Sequence, residues 1–265
     1  MIQLSIENSE NFKLTKDYVQ SLDRGLQILQ VFAQQNTSLS VSEMANLTKL
    51  SRPTVRRLLL TLEYLGYVIS EQNTFSLAPK ILTLSNAYLL SQKNSWKLAI
   101  PYMQQFADET GESCSIAVLD YEKIIYVARV SKKRIMSINI EVGTNMPAVA
   151  TSMGHVLLSY KPESELREFL NQVKLEKYTE YTILDKEELF ENLKNTQKRG
   201  WAGVDQQFEI GLRSIAVPIF DKRGHVVAAL NCSAHAGRVS KDELSREILP
   251  LLQRTSEKIT ETIFV

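Results

Sequence analysis

The chain has 265 residues with 31 basic and 30 acidic side chains, so its formal net charge of +1 gives no bulk attraction for a polyanion and any such affinity must be local. Apolar residues make up 44% and charged residues 23%, an ordinary globular composition, and domains of roughly 100–200 residues predict two of them here. Two cysteines, Cys114 and Cys232, are too few for a disulfide framework; no apolar run approaches the roughly 18 residues of a membrane span, and residues 1–7 lack a basic-then-apolar leader, so the expectation is a cytoplasmic protein with no membrane contact.

Residues 1–16 are polar without a clear period and are expected to be a flexible arm. From Asp17 the period is helical, with Leu22, Leu26, Leu29 and Ala33 on one face. Ser40 and Glu43 form a capping box ahead of a short helix over Val41–Thr48. Ser51 is the next N-cap, Pro53 sits in a first turn that needs no N–H from it, and Gly66 stops the helix after Leu65. Two short apolar runs, Tyr67–Ile69 and Thr74–Leu77, flank a polar turn and read as a hairpin. Three helices and a hairpin in this order predict a winged helix-turn-helix over 17–79.

The stretch Lys49–Leu62 holds Lys49, Arg52, Arg56 and Arg57 and no acid. On a helix, Val55, Leu58, Leu59 and Leu62 share a face that must be core. Pro53, Thr54, Arg56, Arg57, Leu60 and Thr61 fall on the other. Arginine binds guanine or phosphate in bidentate fashion, and Ser or Thr takes phosphate or base edges. Lys49, Ser51, Arg52, Thr54, Arg56 and Arg57 are therefore the expected contacts to double-stranded operator DNA, with Arg24 as a weaker candidate. A merely solvated cationic face is the alternative; the one-sided charge, the preceding short helix and the following hairpin argue against it.

Lys80–Lys93 reads as a connecting helix within a linker over 80–94. It is more apolar than a lone surface helix requires, so self-association as a dimer, or a dimer of dimers, is expected. The remainder, 95–265, reads as a second domain. A helix over Trp96–Thr110 is followed by strands at Ser115–Leu119, Ile124–Val130 and Met136–Ile140. Helices return at Thr151–Tyr160, Ser164–Asn171 and Asp185–Arg199. Strands resume at Ala202–Phe208, Ser214–Phe220 and Val226–Cys232, with Asp221–Gly224 as a hairpin turn. A capping box at Ser240 and Glu243 opens a long closing helix. The fold class is α+β, a winged helix-turn-helix followed by a mixed α/β domain.

Several separated motifs resemble the IclR family of transcriptional regulators. They are Ser-Leu-Asp-Arg-Gly-Leu-Gln-Ile-Leu (21–29), Leu-Ser-Arg-Pro-Thr-Val-Arg-Arg-Leu-Leu-Leu-Thr-Leu (50–62), Pro-Ala-Val-Ala-Thr-Ser-Met-Gly-His-Val-Leu-Leu (147–158), Gly-Leu-Arg-Ser-Ile-Ala-Val-Pro-Ile-Phe-Asp (211–221) and Val-Val-Ala-Ala-Leu-Asn-Cys-Ser-Ala-His (226–235). Val-Gly-Thr (142–144) and Ala-Thr-Ser-Met-Gly (150–154) look like the subgroup controlling aromatic-acid breakdown, whose members respond to protocatechuate, 4-hydroxybenzoate or β-ketoadipate. This chain departs from it at Asn145-Met146, where members often carry Arg-Phe, and at His155, where they carry Lys or Arg. The resemblance implies a GAF-like second domain that binds a small organic acid on one side of its sheet. Carried over by position, it implies effector contacts at Ser152, Met153, Leu212, Ser214, Asn231 and Ser233, with Asp205 on a neighbouring segment.

The residues give their own reasons beside the resemblance. Thr151–Gly154 opens a helix with small side chains and free N–H groups, which favour a carboxylate. Asn231 and Ser233 are two apart on a strand and so share a face, where polar groups need partners that a ligand or the protein's own backbone can supply. The glycines form no phosphate-binding loop and Ser152 lies in no Gly-x-Ser-x-Gly elbow. Cys232 and His235 are two potential metal ligands where zinc needs three or four. No cofactor, metal or catalytic residue is therefore expected. The reading is a non-enzymatic, DNA-binding regulator of catabolic genes that senses a small, aromatic acid. Its rivals are an acid-processing enzyme with a DNA-binding appendage and a ligand-independent oligomerising DNA-binding protein.

Overall fold

The computed structural model describes residues 12–35, 37–89, 96–132 and 140–263. The chain divides into two compact units, one ending at Tyr88 and the other beginning at Leu89.

In the first unit, helix α1 (Gln20–Gln35) is followed by a two-residue strand β1 (Leu39–Ser40), helix α2 (Val41–Thr48) and helix α3 (Arg52–Tyr64). The Ser40–Glu43 capping box forms as expected, with the Ser40 N–H donating to the Glu43 carboxylate at 2.8 Å. Lys49 ends α2 in the left-handed region at φ 58°. Strands β2 (Val68–Glu71) and β3 (Thr74–Leu77) make the hairpin. Its turn is only Gln72-Asn73, with φ of 47° and 68°, the paired positive angles whose twist matches that of the strands. The strand β1 pairs with β3 and is too short to leave a pattern in the sequence. Ile28, Phe32, Leu39, Met44, Val55, Leu59, Val68 and Phe75 fill the core from all these elements. Helix α4 (Ile81–Leu89) follows.

In the second unit a short 3₁₀ turn at Trp96–Ala99 leads into helix α5 (Ile100–Thr110), which Gly111 ends at φ 68°. Strands β4 (Ser113–Asp120), β5 (Lys123–Val130) and β6 (Asn145–Pro147) come next. Helices α6 (Ser152–Ser159), α7 (Glu163–Gln172) and α8 (Lys186–Arg199) follow, then strands β7 (Ala202–Asp205), β8 (Leu212–Phe220) and β9 (Val226–His235). The chain closes through a turn at Lys241–Glu243, a π-helical turn at Leu244–Ile248 and helix α9 (Leu249–Ile263). The strands form one antiparallel sheet in the order β6-β5-β4-β9-β8-β7. Helices α5 and α9 pack on one face, around Met103, Phe106, Cys114, Ile215 and Leu252. Helices α6, α7 and α8 pack on the other, around Ala117, Tyr126, Met153, Leu189 and Ala216.

The expected strand at Met136–Ile140 lies, except for Ile140, outside the described residues, as do the start of the expected arm and the last residues of the expected connecting helix. Strand β7 stops at Asp205 instead of reaching Phe208. Gln206 turns to φ 59°, and its carbonyl accepts from Thr179 Oγ1 at 2.6 Å. Helix α6 approaches its neighbours so closely that a Cβ on Gly154 would overlap the Ala148 carbonyl, which is why glycine stands there.

Candidate nucleic-acid interface and ligand cavity

Ser51 caps α3 as its type predicts. Its Oγ accepts from the Thr54 N–H at 3.4 Å and shares a hydrogen bond with Thr54 Oγ1 at 2.9 Å. Val55 and Leu59 are wholly buried, and Leu58 and Leu62 pack against the same core. Lys49, Ser51, Arg52, Arg56 and Arg57 are exposed, and Thr54 is half-buried. Among the described residues, none of the four cations forms an ion pair. The arrangement is a cationic outer face, capped at one end, on a helix anchored by its leucines. Among the described residues no carboxylate pairs with it, and a duplex phosphate backbone would supply the counter-charge.

On the α6 side of the second unit's sheet lies a narrow cavity that opens to solvent. Ser152, Met153, Leu212, Ser214, Asn231 and Ser233, all expected from sequence, line it. Register explains why. Ser214 pairs with Ser233 across β8 and β9, and directly paired residues point to the same side. Ser214 Oγ donates to Ser152 Oγ at 2.9 Å, joining the sheet to the first residue of α6. Asn231 Oδ1 accepts from the Ser115 N–H at 3.0 Å, and Asn231 Nδ2 donates to Ser233 Oγ at 3.0 Å. The polar groups thus satisfy one another in part. The second amide hydrogen of Asn231 and the spare capacity of the hydroxyls are left for whatever fills the space.

Asp205 is the exception and does not line the cavity. Val204, its neighbour on β7, pairs with Ser214 and faces inward, so Asp205 faces the other way beside its partner Arg213. There its carboxylate accepts from Arg213 Nε at 2.7 Å and pairs with Lys241 Nζ at 2.8 Å. Partial burial works to raise the Asp205 pKa, but Arg213 and Lys241 outweigh it and hold the carboxyl below its usual range.

Sequence reasoning missed the cavity's apolar wall: Tyr126, Ile140, Met146, Val204 and Phe208. A tyrosine inside the Ile/Val run of β5 was the one available signal. The Tyr126 hydroxyl is pushed up to about 12 by burial, against the opposing charge of Arg129. Cys232 is buried in the opposite face of the sheet while His235 is exposed at the strand end, and among the described residues no group of three His, Cys, Asp or Glu side chains converges on a metal-sized site. No described helix is long and apolar enough to cross a membrane.

Comparison with known proteins gives two family matches. Residues 21–71 match the IclR helix-turn-helix domain, and residues 87–261 match the domain described as bacterial transcriptional regulator IclR C-terminal. The chain is 41% identical to the Pca regulon regulatory protein of Pseudomonas putida over 94% of its own length and 85% of that protein's. It is similar in structure to a transcriptional regulator of Rhodococcus sp. RHA1, with a TM-score of 0.78 and 40% identity over 93% of this chain and 98% of that one. It is also similar to a double mutant of the PobR inducer-binding domain from Acinetobacter, solved with 3-hydroxybenzoic acid. That match has a TM-score of 0.60 and 31% identity, and covers 62% of this chain and 96% of that one.

Proposed function

Since the chain belongs to the IclR family of bacterial transcriptional regulators, and is a DNA-binding regulator and not an enzyme, we propose that its second unit senses a small hydroxylated aromatic acid and thereby controls catabolic genes. The observation that carries this reading is the cavity's composition. Tyr126, Met146, Met153, Phe208 and Leu212 supply apolar surface for a ring, and the Ser152–Ser214 and Asn231–Ser233 pairs supply polar groups for its substituents. The similar double mutant of the PobR inducer-binding domain, solved with 3-hydroxybenzoic acid, supports it.

Lys49, Ser51, Arg52, Thr54, Arg56 and Arg57 are the proposed DNA contacts. A dimer would offer two such faces to half-sites roughly 34 Å apart, one helical turn. Leu82 and Leu84 of α4, 65% and 55% exposed, are apolar surface suited to self-association.

The test is fluorescence anisotropy with a labelled duplex from the promoter beside this protein's gene, with and without protocatechuate, 4-hydroxybenzoate, 3-hydroxybenzoate or β-ketoadipate. One of the acids is expected to change duplex affinity by about 5- to 150-fold, the usual range of coupling between sites. Arg56→Ala with Arg57→Ala is expected to weaken binding and to lower the log–log salt slope by about 1 to 2. Duplex binding indifferent to every acid would favour a ligand-independent regulator. An unchanged salt slope in the double variant would remove α3 from the interface.

A further inference from the structure

Helix α3 carries three consecutive leucines, Leu58, Leu59 and Leu60, and two of them serve the core. Leu59 is wholly buried, and Leu58 packs beside it with Leu62. Leu60 is 40% exposed and belongs to the other side of the helix. Residues three and four apart on a helix are neighbours. Leu60 therefore stands next to Arg56 and Arg57, both exposed, and one turn before Tyr64, which is 90% exposed. The nearest acid, Glu63, is tied to the hairpin, where its carboxylate accepts from Ser70 Oγ of β2.

Single exposed leucines are common on protein surfaces, and exposure alone gives Leu60 no role. Its position does. It is set into the middle of the cationic stripe, one turn from each of two arginines proposed to meet the duplex. The base edges in the major groove are hydrogen-bond donors and acceptors, with one apolar exception, the C5-methyl group of thymine. A leucine pressed against a donor or acceptor strips it of water and returns no hydrogen bond. Against a methyl group the same leucine removes apolar surface from water at no polar cost.

We propose that Leu60 is a specificity-determining residue of α3, which selects a thymine in the operator through its C5-methyl group. This rests on the assignment of α3 to the duplex made above and adds a base to it. The arginines take phosphate or guanine, and Leu60 takes thymine. Leu60 lies four residues beyond Arg56, about 6 Å along the helix axis, or roughly two base-pair steps. The thymine is therefore within about two base pairs of the Arg56 contact. An apolar contact releases no counterions, so Leu60 adds to affinity without adding to its salt dependence.

The experiment is fluorescence anisotropy of the full chain on the labelled promoter duplex, with each thymine in turn replaced by uracil, which lacks only the methyl group. Wild type, Leu60→Ala, Leu60→Met and the Arg56→Ala, Arg57→Ala double variant are compared. One replacement is expected to weaken the wild type about 4-fold, the worth of one buried methyl group, and Leu60→Ala by less than about 2-fold. Leu60→Met, which keeps an apolar side chain of similar reach, should retain the discrimination. Leu60→Ala should leave the log–log salt slope unchanged, whereas the arginine variant lowers it. If the arginine variant lowers the slope but no thymine distinguishes Leu60→Ala from the wild type, α3 still docks and the proposal for Leu60 is overturned. Leu60→Ala weakening every duplex alike, with thymine or uracil, also overturns it, because Leu60 then acts through a contact other than this base. An unchanged slope in the arginine variant removes α3 from the duplex, and the proposal falls with that assignment.

Discussion

At the scale of single residues, His155 shows what the sequence could not. All eight residues of α6 are buried, so the helix has no polar face to betray which way a side chain points. His155 is wholly buried, and its Nε2 donates to the Val149 carbonyl at 2.8 Å, which places the proton on Nε2 and leaves Nδ1 as an acceptor. Among the described residues Nδ1 finds no hydrogen-bond partner, although Asn192 influences its titration. Burial is the largest influence and pushes the imidazole below its ordinary value, aided by the charge of Arg199 and opposed by the Val149 carbonyl and Asn192. The unfolded chain therefore takes up a proton at His155 near pH 6.5 while the folded chain does not. Stability is lost as the pH falls below about 6.5 and continues to fall until the depressed folded value is reached. Urea denaturation between about pH 7 and pH 5, above the usual carboxylate range, is expected to show this slope, and His155→Gln to flatten it. An identical slope in the variant would place the proton uptake elsewhere.

At the scale of elements, legibility followed length and period. Helix α3 was readable because its apolar positions repeat over thirteen residues and its caps are explicit. The structure sharpens that reading into a contrast between neighbours: Leu59 is fully buried and Leu60 is 40% exposed on the outward face. Leu59→Ala is expected to cost about 2–5 kcal/mol of the first unit's stability, whereas Leu60→Ala should stay within about 0.5 kcal/mol. Equal costs in denaturant unfolding would mean the helix is rotated from this placement. Strands β1 and β6, at two and three residues, carry no period to read. Asp205 was misplaced because the side a strand residue faces depends on register, and β7 takes its register from β8, eight or more residues away. Asn231 and Ser233 were half-legible for the same reason: their spacing of two on β9 is local, but the pairing of Asn231 with Ser115 of β4 exists only once the strands come together.

At the scale of the whole molecule, the near-neutral net charge conceals a division of labour between two compact units. The cationic face belongs to the first unit and the cavity to the second, so a ligand in the cavity stabilises the second unit by mass action and the first only through whatever coupling links them. Calorimetry of the full chain is accordingly expected to resolve two transitions. An acid that binds, at about one hundred times its dissociation constant, adds about 2.7 kcal/mol to the unit that holds it. For a unit of this size that moves the midpoint by roughly 5–10 °C. The smaller transition should shift less, and its displacement measures the proposed coupling between acid binding and duplex affinity. Arg56→Ala with Arg57→Ala, being surface changes, should move neither midpoint appreciably while weakening duplex binding. If the small transition moves as far as the large one, the two units unfold as one body. The acid's effect on DNA binding is then a rigid-body rearrangement and not a bias passed between separately stable parts.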